Sequence, residues 1–158
     1  MLSKLKQRKS EGFTIIEVMI VLAIAGLIML IVFLAVPALQ RNSRNTQAKN
    51  AAAAILAAVN EFSNNNNGQQ PTTVAIAADG TINVTGAAGT AAATGKTQSG
   101  YTASLSATMP TTPGTFAVNL NHKCNNNAFA TTTSPRSMAV GYAIESSSTV
   151  NAPQCAES

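Results

Sequence analysis

One carboxylate interrupts an otherwise apolar run. Residues 11–26 read EGFTIIEVMIVLAIAG, with Glu17 set four positions beyond Phe13 and behind a short leader that carries Lys4, Lys6, Arg8 and Lys9. An ionised side chain inside a hydrophobic span costs roughly 2.5–3.5 kcal/mol near mid-membrane, so Glu17 calls for a partner. A cut between Gly12 and Phe13 would supply one. The new α-amine, with a reference pKa of about 7.7–8.0, is largely cationic at neutral pH and lies about one helical turn from Glu17. The amine of one copy can then neutralise the carboxylate of another.

Elsewhere the residues able to do chemistry are sparse. Beyond Gly12 the chain holds one His, one Asp and four Glu, scattered far apart. No nucleophile has a base near it in sequence and no glycine-rich turn opens a helix after a strand, so neither enzyme activity nor a cofactor is expected. His122, beside Lys123 and Cys124, reads as a loop residue. The only cysteines, Cys124 and Cys155, fit one disulfide in an exported domain, with two unpaired thiols or an intermolecular bridge as the other readings. A bridge closing a loop of about 32 residues would stabilise the fold by roughly 3–4 kcal/mol. One histidine and two distant cysteines do not have zinc-ligand spacing, so no metal is expected.

Composition bounds the rest. The chain has 158 residues, 10% of them charged, and no Trp. Its formal charge of +4 is set by the leader; beyond Gly12 six basic residues face five acidic ones, leaving +1. Near-neutrality argues against a general nucleic-acid binder, which shows a basic stripe. Arg41, Arg44 and Lys49 could touch DNA or anionic headgroups, but juxtamembrane solvation explains them better. A domain solvated mainly by hydroxyls and amides reads as an extracytoplasmic surface protein.

Four segments must position these groups: a leader over residues 1–12, an apolar span over 13–39, an amphipathic helix over 40–63 and a β domain over 64–158. The span, 27 residues from Phe13 to Leu39, exceeds the usual bilayer requirement. Gly26 weakens its helix, and Pro37 removes the amide that would bond the carbonyl of Phe33. The stripe Ala48, Ala51, Ala52, Ile55, Val59 and Phe62 then faces a core. Helix termination is expected between Ser63 and Gly68, where an Asn run meets Gly68 and Pro71. β-Favouring stretches follow at Thr72–Ala77, Thr81–Thr85, Tyr101–Ser106, Thr115–Leu120 and Ser137–Ile144. They predict an antiparallel sheet against the helix, with Gly86–Gly100 as a long exposed loop and residues 125–127 and 146–149 as solvated loops.

An ordinary secretory signal fits the N-terminus poorly, because the apolar run far exceeds an h-region of about 7–15 residues and no Ala-x-Ala site closes it. A plain single-pass anchor explains the length but leaves Glu17 and the Gly12-Phe13 pair without a role. The segment from Lys4 to Leu39 closely resembles type IV prepilins, in which a basic leader ends in Gly and Phe-Thr-x-Ile-Glu follows; here the residues are Gly12, Phe13, Thr14, Ile15, Ile16 and Glu17. The resemblance implies that a membrane aspartyl peptidase cuts after Gly12 on the cytoplasmic face and methylates Phe13. It implies a long N-terminal helix packed on a small antiparallel sheet, an α+β fold, with Glu17 setting register in a helical homopolymer. It also implies an inner-membrane precursor, an assembly platform with its ATPase, and then a surface pilus serving attachment, twitching motility or DNA uptake.

In that family the helix melts between a glycine and a proline during assembly. Here the pair is Gly26 and Pro37, with the proline about three residues later than is common. The Cys124–Cys155 segment resembles the disulfide-bounded C-terminal region of many pilins. Two alternatives stand beside this reading. A pseudopilin of a secretion or competence machine shares the N-terminus, yet the major ones resemble one another in a calcium site, for which this chain offers only Glu145 and Glu157 after Asp79. A single-pass, membrane-anchored binding module would keep its leader and form no polymer.

Overall fold

The computed structural model describes residues 12–132, 134, 136–146 and 151–158. Leader residues 1–11 and loop residues 147–149 lie outside the described residues. The elements in chain order are α1 (Ile15–Asn65), β1 (Thr73–Ile76), β2 (Thr81–Thr85), β3 (Ala93–Lys96), β4 (Thr102–Leu105), β5 (Thr115–Leu120), β6 (His122–Asn125), β7 (Ala128–Thr131), β8 (Met138–Ile144) and β9 (Ala152–Glu157). The chain divides into two compact units, Met1–Leu39 and Gln40–Ser158. This is the α+β class expected from the sequence, a long helix packed on β-sheets.

In the first unit the helix has no inner side. Nineteen large apolar side chains between Phe13 and Leu39 are 40–88% exposed. The helix is long and apolar enough to cross a membrane. Helix continues through both Gly26 and Pro37. A Cβ at Gly26 would meet nothing within 4 Å, so no packing inside the chain requires a glycine there.

In the second unit the 3.6-residue period sets a stripe inward. Ala48, Ala51, Ala52, Ile55, Leu56, Ala58, Val59 and Phe62 are buried, which includes every residue of the stripe expected from sequence. The helix ends where the Asn run begins. Asn67 adopts φ 54° and the Gly68 amide donates to the Ser63 carbonyl at 2.7 Å, a Schellman-type closure.

Three sheets follow. β1, β2 and β3 form an antiparallel sheet in that order, and β4, β5, β8 and β9 form a second. Facing α1 are Val74, Ile82, Val84 and Ala93 from the first and Phe116, Val118, Val140 and Tyr142 from the second, joined in one core. Phe116 pairs with Tyr142, and Val118 with Val140. On the other face of the second sheet, a Cβ on Gly141 would meet Met109 Sδ at 2.6 Å and Phe129 Cζ at 2.9 Å. Both faces of β8 are therefore covered. β6 and β7 form a separate ribbon, closed by Asn126 and Asn127 at φ 46° and 60°, the pair of positive angles that a two-residue hairpin turn demands.

The sheets depart from the expectation in four respects. β4 runs parallel to β5, over a connection that carries Met109, rather than antiparallel. The Gly86–Gly100 stretch is not a loop throughout, because it contains β3 and is docked at its start: a Cβ on Gly86 would lie 2.4 Å from Phe62 Cζ. The buried Asn66 amide also donates to the Ala91 carbonyl and accepts from the Ala91 amide. His122 and Asn125, each expected in a loop, begin and end β6, and its partner β7 was not expected either. Finally, β9 was not anticipated at all; its APQCAE sequence has no alternation, and Pro153 is accommodated because the strand is an edge.

Candidate functional site

The helix start is built by Thr14 and Glu17. Thr14 precedes the first helical residue, Ile15, and Glu17 lies three positions on, the spacing of a capping box. The Thr14 amide donates to Glu17 Oε2 at 2.8 Å and the Thr14 hydroxyl donates to the same oxygen at 2.7 Å. The Glu17 amide donates back to Thr14 Oγ1 at 3.3 Å. The Thr14 and Glu17 amides are thereby satisfied locally, and the carboxylate sits at the positive end of the helix dipole. Gly12 and Phe13 stay outside the helix, both exposed, so the peptide bond between them is open to solvent. Phe13 and Glu17 share a shallow apolar groove with Val18, Val21 and Leu22.

Sequence reasoning read Glu17 as a charge needing a partner in another copy and missed its partner in this one. The signal was present: Thr-x-x-Glu before an apolar run is a helix-start signature. Gly26 and Pro37 lie further along α1 and touch neither Glu17 nor each other's turn.

The second unit holds the remaining residues of interest. Cys124 in β6 and Cys155 in β9 form a disulfide with Cα atoms 5.7 Å apart. The Cys124 amide also donates to Glu157 Oε2 at 2.7 Å, so the ribbon and the edge strand are joined twice. His122 is half-buried, with Nδ1 2.9 Å from the Leu120 carbonyl oxygen.

Arg44 is exposed, as its juxtamembrane position suggested, but it is also paired within the chain. Its Nε and Nη2 donate to the two carboxylate oxygens of Glu145 at 2.7 and 2.6 Å, a bidentate pair. Beside it the Asn45 side chain donates to the Glu145 carbonyl and accepts from the Glu145 amide, at 2.9 and 2.8 Å. Four bonds thus clamp the residue that follows β8 onto α1. The Arg44 guanidinium holds the Glu145 carboxyl below the usual carboxylate range, and Glu145 in turn raises Arg44. Its charge is thus partly compensated inside the chain.

What the arrangement offers is an exposed apolar stem with one oriented carboxylate at its start and, among the described residues, no apposed base, nucleophile or metal-ligand set around it. No curated protein and no solved structure matches the chain significantly. The family model for the prokaryotic N-terminal methylation motif matches residues 7–33, a window that brackets Gly12, Phe13, Thr14, Glu17 and Gly26. On a fold of type IV pilin-like architecture, this chain carries the class III signal peptide of type IV pilins.

Proposed function

We propose that this protein is a pilin, a structural subunit of a type IV pilus filament and not an enzyme. A prepilin peptidase removes residues 1–12 and methylates Phe13; the subunit waits in the cytoplasmic membrane and is then polymerised by the platform and ATPase through residues 13–39. The observation that carries this reading is the nineteen-residue set of exposed apolar side chains that begins at Phe13, within the methylation motif. Burying a large apolar side chain stabilises by roughly 1.5–3 kcal/mol, so stems bundled together in a filament core gain strongly from one another. Glu17 supplies what apolar packing lacks. A carboxylate that finds the Phe13 ammonium of a neighbour only in one register penalises all the others.

Gly26, which no contact in the chain explains, and Pro37 bound the segment that unwinds on assembly. A filament map with continuous helix through Ile31 would refute that part. Residues 64–158, held by the Cys124–Cys155 bridge, form the exposed surface, on which attachment, motility or DNA uptake depends.

The test is intact mass and N-terminal sequencing of membrane and sheared fractions from the native host. A chain beginning at methylated Phe13 in the sheared fraction establishes an assembled pilin. The same chain confined to membranes indicates a pseudopilin, and an intact leader indicates an anchored domain.

A further inference from the structure

We propose that Met109 is an oxidation site: a two-electron oxygen donor such as hydrogen peroxide converts it to the sulfoxide, and this frees the β6–β7 ribbon from the outer face of the second sheet. The inference stands on the β domain alone and does not depend on the pilin reading. In the step, the Met109 sulfur attacks one peroxide oxygen, the O–O bond breaks, an S–O bond forms and the second oxygen leaves as water. Sulfur gives up two electrons and the peroxide takes them.

The place of this methionine singles it out. Phe116, Val118, Val140 and Tyr142 turn to the core, so the outer face of β5 and β8 carries Ala117, Asn119, Ala139 and Gly141. At Gly141 the space of a missing side chain is filled from outside. Met109 Sδ lies 2.6 Å and its Cε 3.1 Å from where a Cβ would stand, and Phe129 Cζ lies 2.9 Å from the same point. Sulfur and ring are thereby held close to the separation of about 5 Å at which thioethers meet aromatic rings. Met109 and Phe129 are both partly exposed, so peroxide reaches this sulfur without unfolding the domain. Met138, 4% exposed and part of the core, is shielded.

A thioether suits the position because it is apolar and rests directly on the β8 backbone. A sulfoxide does not, since it puts a strongly polar oxygen on a sulfur with no free volume on its sheet side. Oxidised Met109 turns outward, Gly141 loses part of its cover and Phe129 loses its sulfur contact. The closed face already carries a cost at Asn119, which is diagonal to Gly141 in the strand register. Its Nδ2 is buried without a partner among the described residues, and lifting the cover gives that donor water. The Cys124–Cys155 bridge and the bond from the Cys124 amide to Glu157 remain, so the ribbon moves on a tether and returns when the sulfoxide is reduced.

The test is hydrogen peroxide on the full chain in detergent, beside Met109→Leu, which keeps the volume and cannot be oxidised. Peptide mass mapping reads which methionines gain oxygen, and amide hydrogen exchange reads the ribbon over residues 122–131. Met109 is expected to be oxidised well before Met138. Exchange in the ribbon then rises about fivefold, the scale of one lost sulfur–aromatic contact, while β1–β3 keep their rates. Met109→Leu keeps slow ribbon exchange under the same peroxide, although the stem residues Met19 and Met29 are oxidised in both proteins. Treatment with methionine sulfoxide reductase returns the wild type to its starting rate.

Oxidation of Met109 as slow as that of Met138 overturns the proposal. So does a fully oxidised Met109 with unchanged ribbon exchange, or with slower exchange, the sign that Asn119 captures the new oxygen and locks the cover. An equal rise in Met109→Leu assigns the effect to another methionine and overturns it as well. Should that variant fail to fold, the reductase step decides, because ribbon exchange that stays high once Met109 is reduced refutes the proposal.

Discussion

Replacing both cysteines by serine tests how the C-terminal region is held. The bridge joins residues 31 positions apart, and in the chain-entropy picture a loop of that length contributes about 3–4 kcal/mol at 25 °C by restricting the unfolded chain. The folding unit spans Gln40–Ser158, for which unfolding entropy near 60 °C comes to roughly 250 cal/mol/K. The ratio of the two is a fall of about 12–16 °C in the thermal midpoint. The native state itself should survive, because the ribbon keeps the Cys124 amide bond to Glu157 and the contact of Phe129 over Gly141. The assay is near-ultraviolet circular dichroism of the full chain in detergent, since Tyr101 and Tyr142 both report on the domain and not on the stem. Unchanged spectra at 20 °C with a midpoint lowered by that amount support the reasoning. A shift under about 4 °C, or loss of the tyrosine signal at 20 °C, refutes it: the first would mean the bridge restrains little, the second that it alone docks the ribbon.

Three further outcomes are expected. Glu17→Ala should leave the processed chain stable in the membrane while sharply reducing filaments recovered by shearing; normal piliation would sink the register role. Phe62→Ala removes a side chain with no exposed surface that packs against Gly86, and should cost about 3–5 kcal/mol in denaturant unfolding, with a loss below 1 kcal/mol showing that the site collapses freely. Glu145 has a folded pKa below its ordinary value of 4.5, so its pair with Arg44 stabilises the fold above that pH and the contribution fades as acid protonates the carboxyl. Glu145→Gln should therefore flatten the loss of stability on acidification below about pH 4.5, and superimposable acid limbs for the two proteins would show that the pair contributes nothing.

Much of the molecule is written locally. An unbroken apolar run with a single carboxylate, the 3.6-residue spacing of Ala48, Ala52, Ile55, Val59 and Phe62, and the Asn67-Gly68 stop each depend on residues within a few turns of one another. The Thr14 and Glu17 box belongs with them, for its donors and acceptor lie three residues apart and the pattern could have been read directly. Sheet architecture is different, because pairing partners are chosen by what they bury and not by what adjoins them. β4 lies parallel to β5, and β3 and β9 form from Ala-, Gly- and Pro-containing sequences with little intrinsic preference for a strand, because a neighbouring strand supplies the hydrogen-bond partners and the core supplies the burial. The same holds for Arg44 and Glu145, a hundred and one residues apart, which meet only because β8 ends beside α1. Sequence by itself determined the stem, its charge and where the helix stops, since those are properties of one segment meeting water or lipid. Tertiary structure alone decided which strands pair and which charges cancel, since those require distant segments to compete for one core.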